Sequence, residues 1–329
     1  MAAAGLGLIL VALAVVWLWL RLAFAAAGPL AEARVVFIPR GASLNAAARQ
    51  LAAAGVIDDP RVFRWGARLL GDDRPIQAGE YAFAAARAMA EVLAQMQDGK
   101  VVLRRVTVPE GMTSAAVVRL LLAEPALEGP ITEMPEEGAL LPETYFFSRG
   151  ETRAAVIARM AAAMRETLAR LWRERAEGLP FATPQEAVIL ASIVEKETAL
   201  PTERALIAGV FVNRLSRGIR LQSDPTVIYG LTQGRLERPL TVRDLDSDSP
   251  YNTYRVRGLP PGAIANPGVA SLEAVLQPEK TSALYFVADG SGGHVFADSL
   301  DEHNRNVQRW RRIEAERRRD DRDDKGKGG

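Results

Sequence analysis

The chain of 329 residues contains no cysteine, which excludes disulfides, thiolate nucleophiles and cysteine-ligated zinc. Histidine is almost absent too. His294 and His303 are the only two, and neither stands in an H-E-x-x-H or comparable ligand spacing, so neither a metal nor another cofactor is expected. No Ser/His/Asp constellation can be assembled. Neither charge sign is in excess: 41 basic residues stand against 40 acidic ones, a net charge of +1. The chain therefore lacks the basic field that draws nucleic acid, and no nucleic-acid partner is expected. Aromatic residues make up only 6%, so Phe63, Trp65, Tyr81 and Phe83 are read first as core, with stacking on sugars as the other use.

What is present, 48% hydrophobic and 25% charged residues, suffices for one or two ordinary cores. Ala2 to Leu20 is an uncharged apolar run. At about 1.5 Å per residue it spans nearly all of a ~30 Å hydrocarbon layer. Arg21 can snorkel from its end, where Trp17 and Trp19 suit the interfacial belt. The competing reading is a cleaved signal peptide, since Ala23-Phe24-Ala25 and Ala25-Ala26-Ala27 are A-x-A-like. The length of the run and the lack of Lys or Arg before it favour an anchor.

Beyond it a unit appears twice, as RVVFIPRGASLNAAARQLA from Arg34 and RVTVPEGMTSAAVVRLLL from Arg105. Each reads as a β-branched strand, Pro-x-Gly, a Ser or Thr cap and an Ala- and Leu-rich helix. Residues 123–138 are a Pro- and acid-rich connector, 151–175 a long amphipathic helix, and 203–215 another helix. Leu221 to Gly230 places Gln222, Ser223, Asp224 and Thr226 around a turn at Pro225, where Ser223 and Asp224 read locally as cap or Asx residues. LYFVA and HVF flank Asp289-Gly290-Ser291-Gly292-Gly293 as a hairpin. From residue 315 the mixed-charge, Gly-ended tail is expected to lack structure.

One stretch organises the rest. Thr183, Pro184 and Glu186 form a helix start with a capping box, and Pro201 stops the helix. Ala187, Leu190, Ile193 and Val194 share one face, and Glu197 extends that stripe while Glu195 points away. A carboxyl closing an apolar stripe is either desolvated, as a general acid near neutral pH requires, or a helix-end side chain with its head in water.

ASIVEKET followed by FVNRL, LQSDPTVIYG, YNTY, GLPPGAIANPG and YFVADGSGGHVF resembles the YceG-like (MltG) family of endolytic murein transglycosylases, from about residue 35 to residue 310. The resemblance implies that Glu197, the second Glu of the triplet, is catalytic. It also implies that Gln222, Ser223, Asp224, Thr226, Tyr229, Tyr251, Asn252, Thr253, Tyr254 and Asn266 contact the glycan, with Glu143 and Tyr145 at the edge of the catalytic region. His294, His303 and Asn304 are read as shaping the site at most.

The expected fold is α+β: a single transmembrane helix (1–27), a small LysM-like α+β domain (28–104) and a mixed α/β catalytic domain (105–314). The last of these opens with a second small α+β unit and connector (105–138), and a disordered charged tail (315–329) follows. The expected function is endolytic cleavage of MurNAc-GlcNAc β-1,4 bonds in nascent peptidoglycan to 1,6-anhydro-MurNAc ends, terminating strand elongation. The implied setting is the bacterial inner membrane, crossed once, with the catalytic domain periplasmic. Expected partners are peptidoglycan glycan strands, the membrane itself and peptidoglycan synthases. Two rivals stay open, an ordinary glycoside hydrolase with Asp224 as its second carboxylate and a membrane-tethered glycan-binding scaffold without catalysis.

Overall fold

The computed structural model describes the backbone of residues 2–327 and the side chains of residues 5–317. Along the chain the elements are α1 (Ala2–Ala25), β1 (Arg34–Ile38), α2 (Leu44–Ala53), α3 (Pro60–Leu69), β2 (Gly79–Phe83), α4 (Met89–Gln97) and β3 (Leu103–Thr107). Then come α5 (Ser114–Ala123), β4 (Leu127–Glu128), β5 (Thr144–Ser148), β6 (Glu151–Thr152) and α6 (Arg153–Arg173). The chain continues with α7 (Pro184–Glu197), α8 (Arg204–Ser216), α9 (Asp224–Thr232), α10 (Val242–Leu245), α11 (Val269–Leu276), β7 (Tyr285–Ala288), β8 (His294–Ala297) and α12 (Leu300–Lys327). The fold is mixed α+β. Its sheets among the described residues are all two-stranded, with β1 antiparallel to β2, β3 paired with β5, β4 parallel to β6, and β7 antiparallel to β8.

Two compact units divide these elements. The first takes the chain up to Val106 and two later passes, Glu124–Gly129 and Phe146–Arg153, which lie inside the stretch that a linear reading assigns wholly to the catalytic domain. The pairing of β4 with β6 ties the two passes to each other, and Arg149, which joins Arg104 on the buried carboxylate of Glu80 at 3.3 and 2.8 Å, ties them to the rest of the unit. A carboxylate taken out of water needs such partners. Phe63, Tyr81 and Phe83 are wholly buried, and Tyr81 stacks on Phe83 at 5.8 Å. Only Trp65 of the four aromatic candidates is exposed.

The apolar helix α1 does not stand apart from this unit. From Gly5 to Ala25 it is long and apolar enough to cross a bilayer, with a mean hydropathy of 2.4. Its last two turns nevertheless bury Leu20 and Phe24. The Phe24 ring lies 6.2 Å from that of Phe63 and so close over Gly66 that a Cβ there would meet it at 2.3 Å. Only glycine allows that approach. A cut after residue 27 would strip this cover from Phe63.

In the second unit α7 is the central strut. Thr183 Oγ1 accepts from the Glu186 amide while the Glu186 carboxylate accepts from the Thr183 amide, so the expected capping box is present with Pro184 behind it. All eight residues from Ala187 to Val194 are buried, packed by α8 and α11 in a core that includes Leu190, Ile207, Phe211, Leu272 and Val275. The helix is therefore enclosed on every side rather than amphipathic. It ends at Glu197, with Thr198 as C-cap, before Pro201 is reached.

Two local expectations differ from the structure. The turn expected at Pro225 is the first turn of α9, where proline is tolerated because the amide it lacks has no intrahelical partner there, and Val227 buries the helix. The tail expected to lack structure from residue 315 continues α12 to Lys327, consistent with the helix propensity of its Arg, Glu and Lys residues; residues 328 and 329 lie outside the described residues.

Candidate active site

Glu197, partly buried, is delivered by the last turn of α7 into a cavity of about 390 Å³. Arg214 from α8, Gln222 and Asp224 around the start of α9, Tyr254, Tyr285 from β7 and His303 from α12 complete its polar wall. Ser223 Oγ donates a 2.5 Å hydrogen bond to Glu197 Oε1. Ser223 sits at the N-cap of α9, yet its side chain makes no cap bond, because its hydroxyl is turned to Glu197. A free N-cap costs a helix about 1 kcal/mol. Here that loss fixes one oxygen of the carboxyl.

Burial pushes the Glu197 carboxyl up to about 7. The Ser223 bond opposes this by favouring the charged form, the neighbouring Asp224 reinforces it, and the charges of His294 and Arg214 oppose it by smaller amounts. Asp224 Oδ1 accepts from the Tyr254 hydroxyl at 2.6 Å. Burial, together with that bond, raises the Tyr254 phenol and keeps it protonated. The His303 ring stacks on Tyr285 at 5.0 Å, its Nδ1 lacks a partner among the described residues, and burial with the Arg214 charge lowers its pKa. His294 turns away, giving its amide and Nδ1 to the two carboxylate oxygens of Glu203 at 2.9 and 2.7 Å.

Arg214, within the helix expected over 203–215, is not among the site residues expected from the sequence. It is 7% exposed, and its Nε donates to Leu284 O at 2.7 Å while its Nη1 donates to Leu221 O and Arg220 O at 2.6 and 3.1 Å. One guanidinium thus ties the chain before β7 to the loop that presents Gln222, Ser223 and Asp224. Gln222 holds a left-handed φ of 52° there, with its amide donating to Thr253 O at 3.1 Å. A signal was available, since Arg214 follows the buried Val210 by one helical repeat and extends an apolar stripe just as Glu197 does.

The ten expected glycan-contact residues fall into three places. Gln222, Asp224 and Tyr254 line the Glu197 cavity, and Ser223 touches Glu197 itself. Tyr229 lines a neighbouring cavity and packs its ring 4.9 Å from that of Tyr251. Thr226, Asn252, Thr253 and Asn266 have no exposed surface. Thr226 and Thr253 share a hydroxyl bond of 2.8 Å, and Thr253 Oγ1 accepts from the Ser223 amide at 3.0 Å. Asn252 Nδ2 donates to Leu245 O and Ser247 O at 2.9 and 2.8 Å. These four brace the loops behind the cavity.

Asn266 is the most heavily bonded of them. Its Nδ2 donates to Met112 O at 3.0 Å and Ser114 Oγ at 3.1 Å, and its Oδ1 accepts from the Leu140 amide at 2.9 Å. Asn266→Ala is expected to cost about 2 kcal/mol, since the buried Leu140 amide would lose its acceptor, while Met112 O keeps the Asn266 amide and Ser114 Oγ keeps Glu136 O. Urea unfolding followed through Trp172 measures it, and a midpoint unchanged from the parent would refute the bracing role.

Residues 36–309 match the model of the YceG-like family. A Bacillus subtilis protein named endolytic murein transglycosylase is 37% identical over 54% of this chain and 48% of its own. A Streptococcus pneumoniae protein of the same name is 29% identical over 83% of this chain and 57% of its own. The chain thus spans about half the length of these curated relatives. A crystal structure of a yceG-like protein from Listeria monocytogenes superposes with a TM-score of 0.52 at 31% identity, covering 83% of this chain and 99% of that one. With its motifs in order along the chain and a family match that takes in both units, this protein belongs to the YceG-like family.

Proposed function

We propose that the protein is an endolytic murein transglycosylase in which Glu197 acts first as acid and then as base. The observation that carries this is a single carboxyl raised to about 7 at the wall of a cavity, with one oxygen held by Ser223. The protonated carboxyl gives its proton to the bridging oxygen of a MurNAc-GlcNAc β-1,4 bond, and the C1–O bond breaks. The 6-hydroxyl of the same MurNAc then bonds to C1 while the Glu197 carboxylate takes its proton, which yields a 1,6-anhydro end and restores the acid. No water is consumed, so one carboxyl suffices where hydrolases commonly use two. A pKa near 7 suits both halves, because the group must hold a proton at the start and release it midway.

Gln222, Asp224, Tyr229, Tyr251 and Tyr254 are the glycan-facing residues in this reading, and the termination of nascent strands is its physiological outcome. The apolar length of α1 supports a membrane anchor, and an inner-membrane setting with both units periplasmic belongs to the same proposal. A LysM-like role for the first unit in holding strands and a synthase partner belong to the same proposal. Asp224, in the same cavity, favours one competing reading, a hydrolase with two carboxylates. Mass spectrometry of muropeptides released from purified sacculi separates them. Anhydro-MurNAc ends are expected, and new reducing ends in their place would overturn the proposal.

A further inference from the structure

Beside the Glu197 cavity lies a second, of about 640 Å³, whose apolar lining includes Met112, Ile228 and Ile264. Three exposed cations, Arg119, Lys196 and Arg235, complete its wall, and no carboxylate does. Among the described residues none of the three is paired with an acid, and Lys196 Nζ reaches only Gly111 O, at 3.4 Å. Two nearby carboxylates already accept from backbone amides. Glu195 accepts from the Gly268 amide at 2.8 Å and Glu137 from the Ser114 amide at 2.7 Å.

The two cavities share a wall. Glu197 and Asp224 line the first, and their chain neighbours Lys196 and Pro225 line the second. A substituent carried by a sugar at Glu197 therefore enters the second cavity by crossing the end of α7 or the start of α9, where adjacent residues of the chain face the two cavities, and an extended peptide advances about 3.5 Å per residue. The geometry points to this cavity as the seat of the carboxylate-bearing peptide that murein carries on the lactyl group of MurNAc. This rests on the murein reading of the Glu197 site. Arginine forks bind carboxylates in two-pronged fashion, and the apolar lining covers the aliphatic parts of the same peptide. The cavity is thus a specificity site for peptide-bearing strands, separate from the groups that break the bond.

The test measures binding, so it does not depend on turnover. The full chain in detergent micelles carries Glu197→Gln to prevent cleavage and is titrated with peptide-bearing glycan strands. The control is the same strands with their carboxylates capped as methyl amides. Adding Arg119→Gln and Arg235→Gln is expected to weaken binding of the uncapped strands about tenfold and of the capped strands less than twofold. Rising salt should erase the difference. Equal loss on both strands, no loss on either, or no binding by the parent would each overturn the inference. Failure of the murein reading shows separately, as the absence of anhydro ends from the chain with native Glu197.

Discussion

Glu197→Gln should abolish turnover and, at the same time, make the protein more stable at alkaline pH. The first effect follows from the chemistry: glutamine fills the same volume and can still accept the Ser223 hydrogen bond, but it has no proton to deliver. A loss of about 10³-fold or more in kcat is expected for removal of a general acid and base in one group. The second follows from linkage. Burial raises the carboxyl from its ordinary 4.5 to about 7, so the folded chain holds this proton more tightly than the unfolded chain does. Stability from this group is complete below about 4.5 and falls as pH rises through about 7, where the native state must carry a desolvated charge. Glutamine removes that penalty, a gain of at most about 3 kcal/mol at pH 8 and none at pH 4, reduced by whatever water reaches the cavity.

Urea midpoints of parent and variant at the two pH values measure the difference, and anhydro-MurNAc release measures the rate. The parent rate, kcat/KM, should itself fall as pH rises through about 7, because the free enzyme must begin protonated. Glu195→Gln provides the contrast, since its carboxylate accepts from the Gly268 amide and lines no part of the Glu197 cavity. It should retain most activity. A Glu197→Gln protein that still turns over, or whose stability relative to the parent does not change with pH, would remove Glu197 from the role assigned to it.

The sequence made Glu197 legible for a reason that the structure completes. The stripe of Ala187, Leu190, Ile193 and Val194 leads to it, but α7 is buried on all sides through Val194, so the stripe alone does not separate Glu197 from Glu195. What separates them is where each carboxyl lands, one against Ser223 in a cavity and the other on a backbone amide. Capping chemistry, the repeated strand-and-helix unit and the β7–β8 hairpin are local properties and were readable from short windows. The division into units was less so, because it depends on where residues 124–129 and 146–153 find partners far away in sequence. Asn252, Thr253 and Asn266 look like ligand-binding polar side chains in a loop-rich motif, and only their burial shows that their bonds go to neighbouring backbone and side chains. Residue type in a motif does not specify direction.

Arg214 supplies the second large effect, and two substitutions divide its roles. Its guanidinium occupies the carbonyls of Arg220, Leu221 and Leu284 and contributes a fixed positive charge near Glu197. Arg214→Met removes both. Two buried carbonyls and a partly buried one lose their donor, the loop bearing Gln222 and Ser223 is no longer held, and about 3 kcal/mol of stability is expected to go with them. A misplacement of about 1 Å at Ser223 is enough to cost about 10²-fold in rate, since the acid must lie within hydrogen-bond reach of the bridging oxygen. The charge acts in a separate direction. A nearby cation favours the carboxylate form, so its loss lets burial raise Glu197 further, and the pH at which kcat/KM falls should move upward. Arg214→Lys retains the charge but not the fork that reaches three carbonyls. It should lose comparable rate while leaving the pH profile near that of the parent. Stopped assays of anhydro-end formation from pH 5 to 9, on variants shown by circular dichroism to be folded, resolve the two. If Arg214→Met keeps both the rate and the profile, the guanidinium neither holds the loop nor sets the proton balance, and the cavity works without it.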